Sequence, residues 1–207
     1  MSSSKTTPTG RGASATAAKI IAMDSPQSQV AELGEQALNG TRTAATQAAR
    51  VLSELIMQKP ELVVPLVAKF ANAITSTNKR VVQSSAEALP AIAKIAPARV
   101  ARQLDVLRKS FPNANDIGKD GLVKTFAALC NASVAYQKRL EPVLTAALEG
   151  ADGKTLFEWS QIVLPSLKGE PHARARAVVE GRLNGIPRAH AQAIADFLGI
   201  KLRVRYR

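Results

Sequence analysis

Lysine and arginine recur in short clusters along the chain. Lys69 is followed by Arg99, Arg102, Arg108 and Lys109, then Lys138 and Arg139, then Arg174, Arg176 and Arg182, and finally Lys201, Arg203, Arg205 and Arg207. Cations repeated at intervals suit one chemistry above others, contact with a polyanion. Each neutralises a phosphate and releases a counterion without reading base identity. Acids share the same stretches at Glu61, Asp105, Glu141 and Glu180, so a solvated face that keeps the chain soluble is the competing reading. Bond-making chemistry is poorly provided for. His172 and His190 are the only histidines, and neither has an acid or cysteine at triad or ligand spacing. Gly-rich phosphate loops are missing: Gly10 and Gly12 flank a single arginine, and Gly150 and Gly153 bracket a turn. Glu158 beside Trp159 is the one pair worth examining for chemistry. The expectation is binding without catalysis, and no metal or cofactor.

The elements that must carry these cations follow from composition. Apolar residues make up 46% of the chain, enough for a core, but aromatics only 4%. Alanine and leucine supply most of the apolar surface, which favours closely packed helices over sheets rich in Val, Ile, Thr and aromatics. The expected class is all-α. Cys130 is the only cysteine, so no intrachain disulfide or cysteine cluster forms, and a reducing compartment is expected: cytoplasm, nucleoid or nucleus. No apolar run approaches the length of a membrane span.

Charge is uneven. The chain holds 28 cations against 16 acids, a net +12. Lys5, Arg11 and Lys19 near the start and the four cations of residues 200–207 have no acids among them. Such a balance suits nucleic acid, an acidic protein surface or anionic lipid. Residues 1–24 read as a disordered basic arm. Their Ser/Thr/Ala-rich, acid-free composition is also similar to an organellar transit peptide.

Helical periodicity is clearest at Lys79–Phe111. Val82, Ala86, Leu89 and Ala93 share one face of a first run, and Val100, Leu104, Leu107 and Phe111 share one face of a second. Pro97 suits the first position of the second helix. The same layout recurs. Leu52-Ser53-Glu54-Leu55, Leu89-Pro90-Ala91-Ile92, Leu129-Cys130-Asn131-Ala132 and Leu164-Pro165-Ser166-Leu167 are spaced by 37, 40 and 35 residues. That is the length of a helix-pair repeat. A cation opens each first helix, at Arg42, Arg80, Lys119 and Lys154, and the second helices begin near Pro60, Pro97, Gln137 and Pro171. The pattern predicts pairs at 41–57/60–74, 79–95/97–111, 118–133/136–149 and 154–168/171–184. A helix from Ser25-Pro26 to Leu38 precedes them, and one from Pro187 to Leu198 closes them. Pro90 and Pro165 are expected to bend first helices.

This period, with its internal prolines and basic helix starts, resembles HEAT-like (armadillo-type) repeats over residues 41–184. The third unit departs from the pattern by lacking both prolines. The resemblance implies a right-handed α-solenoid of about four helix-pair repeats with capping helices, occupying residues 25–199. It implies that second helices line a concave surface, which would place the cations of residues 69–182 along one groove. It also implies a scaffold for nucleic acid or for a protein partner, such as a helix or acidic peptide. A few relatives of this kind are DNA glycosylases, which gives Glu158 and Trp159 their interest, although a base-excising site needs several aromatics. Residues 200–207 alternate apolar and basic side chains and read as a basic extended tail.

Overall fold

The computed structural model of the chain describes residues 9–202. Those residues form α-helices joined by short 3-10 turns, with no strand among them. The helices are α1 (Thr9–Ile21), α2 (Gln27–Asn39), α3 (Arg42–Gln58), α4 (Val67–Ala73), α5 (Lys79–Ile95), α6 (Pro97–Ala101), α7 (Leu104–Ser110), α8 (Asp116–Ala132), α9 (Val134–Gly150), α10 (Gly153–Ser166), α11 (Gly169–Arg182) and α12 (Arg188–Leu198). The chain divides into two compact units, Met1–Leu122 and Val123–Arg207.

Helix starts are fixed by short polar side chains. The Thr41 hydroxyl accepts from the Ala44 N–H at 3.4 Å, Asn78 Oδ1 from Arg80 at 3.1 Å, Ser133 from Ala135 at 3.3 Å and Asp152 Oδ1 from Thr155 at 2.9 Å. Each satisfies a backbone donor that a helix start leaves open. Two backbone N–H groups around Asp152, helped by the Thr155 hydroxyl, hold its carboxyl below the usual range. Ser25 does not cap α2, which begins after Pro26 with no side-chain cap. Gly199 ends α12 at φ +67°, the left-handed position that favours glycine.

In the first unit α3 packs on α1, α2 and α5, and α4 packs on α5 and α7. The buried set on α3 (Ala45, Ala48, Leu52, Leu55) and α5 (Val82, Ala86, Leu89, Ala93) follows the 3.6-residue period. Gly121 on α8 lets that helix approach α5 closely, since a Cβ there would fall onto Ala86 Cα and Cβ. In the second unit α9 packs on α11, and α10 on α11 and α12.

Three expectations need correction. The arm of residues 1–24 is helical over Thr9–Ile21, with Ala13, Ala17 and Ile20 buried at i, i+4, i+7. Alanine is an apolar residue too small to stand out in a Ser/Thr-rich stretch. The single helix expected at 60–74 is a 3-10 segment, Pro60–Leu66, followed by α4. Pro65 supplies no N–H and disfavours helical backbone at Val64, so the α-helix starts only after it. The helix expected at 97–111 breaks between α6 and α7, where Gln103 N–H donates to Val100 O at 2.8 Å in a tightened turn. Pro90 does lie inside α5, whereas Pro165 falls in the last turn of α10.

Several side-chain bonds between helices share a similar chain offset. Lys69 to Glu35 spans 34 residues, Ser53 to Glu87 spans 34, Arg174 to Glu141 spans 33, and Arg182 to Leu148 spans 34. The first two lie in the first unit and the last two in the second.

Candidate functional site

The periodicity that buries one side of α6 and α7 exposes the other. Val100, Leu104 and Leu107 are buried at i, i+4, i+7 and face α4 and α5. Arg99, Arg102, Val106 and Lys109, at i, i+3, i+7 and i+10, are exposed. Arg99 on α6 and Val106 and Lys109 on α7 are thus exposed beside the buried positions of their own short helices, with Arg102 exposed in the turn between them. Asp105 borders the stripe and is the only acid between Pro97 and Asn113. Arg108 lies toward the buried side, and its Nε is the buried side-chain nitrogen or oxygen with no hydrogen-bond partner. Arg99, Arg102 and Lys109 enter no ion pair among the described residues.

The cations of α11 are differently placed. Arg174 Nε donates to Glu141 Oε1 at 3.1 Å and its Nη2 to Oε2 at 3.2 Å, while Nη1 donates to Glu170 at 2.5 Å. Those acids raise the guanidinium pKa further, the Glu141 hydrogen bonds most of all. Arg176 donates to Glu180 at 2.7 Å and to the Leu198 carbonyl at 3.1 Å, tying α11 to the end of α12. Arg182 reaches the end of α9, donating to the carbonyls of Leu148 at 3.2 Å, Ala151 at 2.8 Å, and Glu149. Free carbonyls at a helix C-terminus carry partial negative charge, so a guanidinium there satisfies both hydrogen bonds and dipole. All three are half or more engaged inside the unit. Arg174, Arg176 and Arg182 are thus each hydrogen-bonded within the second unit, Arg174 with half its side chain still exposed.

Lys69 on α4 pairs with Glu35 on α2, and that ammonium, with the Asn39 amide, holds the Glu35 carboxyl below its ordinary range. On α9, Lys138 and Arg139 are exposed. Lys201 is exposed just beyond α12, whereas Arg203, Arg205 and Arg207, and with them most of the predicted tail, lie outside the described residues.

The remaining candidates do not gather into a reactive centre. Trp159 is buried at 6% exposure, while its neighbour Glu158 is exposed and lies 3.9 Å from Lys154 one turn back. The aromatic face is therefore in the core and not beside the carboxylate. Cys130 is buried, and desolvation pushes its thiol up to about 12, far from the thiolate needed for nucleophilic work. His172 and His190 are half-buried on different helices, and His190 packs against Gly153 at the start of α10. Among the described residues no three His, Cys, Asp or Glu side chains gather so as to hold a metal ion. Among the same residues no helix is long and apolar enough to cross a membrane.

Gln137 was notable in sequence only as a non-proline helix start. It is buried at 1% exposure and donates from Nε2 to the carbonyls of Cys130 and Ser166, each at 3.2 Å. Its Oε1 accepts from the Lys168 N–H at 3.0 Å. One amide thus joins α8, α9 and the turn after α10. A glutamine amid Ala-Tyr and Lys-Arg offers no sequence signal for this.

Comparison with models of known protein families and with curated protein sequences gives no match.

Proposed function

We propose that this chain is a non-catalytic scaffold of stacked helix pairs, resembling HEAT-like repeats, that engages the phosphate backbone of DNA or RNA. The observation that carries the reading is the stripe of Arg99, Arg102 and Lys109 on α6–α7, exposed and without ion-pair partners among the described residues. Desolvated or paired cations are poor phosphate ligands, and these three are neither. Phosphate contact needs no base-specific geometry, so recognition is expected to be indifferent to sequence.

The stacked-pair part of the reading is supported by four inter-helix bonds at an offset of 33 to 34 residues, close to the 35- to 40-residue spacing of the sequence motif, while Gln137 to Ser166 and Arg176 to Leu198 span 29 and 22. Successive units of one repeat should touch at a separation near the repeat length. The contacts of α1 with α3 and of α2 with the segment after α3 extend the scheme to the N-terminal helices. Lack of catalysis is favoured by the separation of Trp159 from Glu158 and by the inert thiol of Cys130.

A protein adaptor is the second reading. Met57 and Ile95 favour it, being exposed at 72% and 43% near the ends of α3 and α5, which pack together. Salt separates the two. Fluorescence anisotropy with a labelled random-sequence oligonucleotide should show affinity falling steeply between about 50 and 200 mM salt. Charge reversal at Arg99, Arg102 and Lys109 should lower both the affinity and the slope. Absence of measurable binding at low salt would exclude the nucleic-acid reading and leave the adaptor.

A further inference from the structure

We infer that the α6–α7 stripe takes double-stranded nucleic acid in preference to single strands; the inference rests on the phosphate-binding reading above and narrows its ligand.

Sequence-tolerant binding of single strands combines backbone charge with aromatic platforms on which unpaired bases stack. The first unit lacks such a platform. Its aromatic residues from 12 to 122 are Phe70, buried at 3%, and Phe111, half-buried. The large side chain that does stand between Arg102 and Lys109 is Val106, an aliphatic group 38% exposed. Bases of a single strand would gain nothing there, whereas bases of a duplex already stack on one another.

Without stacking, the preference is decided by charge density. A duplex presents one charge per roughly 1.7 Å of axis, against one per roughly 3.4 Å on each strand. Arg99 to Lys109, across the turn between α6 and α7, spans on the order of 15 Å. Along that length a duplex therefore offers about twice as many phosphates as a single strand. The backbone that carries the cations is held in place by the burial of Val100, Leu104 and Leu107. A row of cations on a fixed backbone loses least entropy against a stiff polymer and most against a flexible one. Arg108, whose Nε is buried without a partner, is not counted with the three exposed cations.

The test compares a short DNA duplex with each of its separated strands, using the full chain and anisotropy across about 50 to 200 mM salt. The duplex should bind about tenfold more tightly, with a log–log salt slope near −3 for roughly three contacts, against near −2 for the strands. In the Arg99→Glu, Arg102→Glu, Lys109→Glu variant, checked for folding by far-UV circular dichroism, the preference should vanish. A Val106→Trp variant supplies the missing platform and should raise single-strand affinity several-fold while moving duplex affinity less than about twofold. Single strands binding as tightly as duplex, both weakened by the charge reversal, would overturn this inference and leave phosphate binding standing. Binding of neither would overturn both. A duplex preference untouched by the charge reversal would remove the stripe as its source.

Discussion

The second helices of the second and fourth predicted pairs look alike in sequence. Residues 97–113 carry four cations and residues 169–182 carry three, and both follow proline-containing starts. In the folded chain they differ in what surrounds them. Around α11 stand Glu141, Glu170, Glu180 and the carbonyls at the ends of α9 and α12, and every arginine of the set finds one. Between Pro97 and Asn113 the only acid in sequence is Asp105, and Arg99, Arg102 and Lys109 are exposed, with no ion pair among the described residues. Number of charges does not separate bonded cations from exposed ones. Availability of acceptors on the same or the neighbouring helix does.

That difference can be pressed by mutation, starting where the effect should be greatest. Gln137→Leu leaves two buried carbonyls and one N–H without partners in the second unit. It should destabilise that unit by about 4 kcal/mol, from roughly 1–3 per unsatisfied group. Trp159, the only tryptophan, is buried in the same unit and reports its unfolding in urea by fluorescence. An unchanged midpoint would mean the amide is not a clamp.

Arg182→Ala should cost about 2 kcal/mol by the same measurement, because the end of α9 loses its donor. Lysine in its place should restore only part, since a single ammonium cannot serve several carbonyls in a fixed fork. Oligonucleotide affinity of the folded fraction should not move. A fall in affinity without loss of stability would transfer Arg182 from clamp to binding residue.

The converse substitution, Arg99→Gln with Arg102→Gln and Lys109→Gln, should leave stability within about 0.5 kcal/mol. Its effect should appear in the salt dependence of binding, reducing the slope by about one for each cation removed. Stability lost on a scale comparable to Arg182→Ala would erase the distinction between the two regions.

The smallest effects are those of pH. The Glu35 and Asp152 carboxyls both titrate lower in the folded chain than ordinary carboxylates. As pH falls the unfolded chain takes up these protons first. Their contribution is complete above the ordinary carboxylate range and disappears as pH drops through the lowered folded values. Asp152→Asn should therefore show a shallower acid loss of stability in urea titrations carried below neutral pH. Both groups are exposed, so the change should be slight and weaker still at high salt.

Much of the helix layout was legible in advance. The run expected at 79–95 is α5, Lys79–Ile95, because Val82, Ala86, Leu89 and Ala93 mark one face and Asn78 and Ala96-Pro97 mark its ends. Interruptions were harder. The expectation of one helix at 60–74 took no account of Pro65, which lies inside the 3-10 segment Pro60–Leu66. Helix α1 was hidden because three small apolar residues among serines and threonines give weak periodicity. Of the candidate cations, sequence could give spacing and charge but no partner.

What the sequence determined by itself was local: helical class, the apolar period of each helix, and most of its boundaries. These depend on contacts within a few residues, which spacing and capping chemistry express directly. What only the tertiary structure decided was the fate of each polar side chain. The partners of Arg174 and Arg182 stand 31 to 34 residues away, apart from Glu170 one turn back, and those of Gln137 reach as far as 31 residues. Such pairings exist only once helices are laid side by side. Which cations remain exposed, and so can bind, is set at that stage.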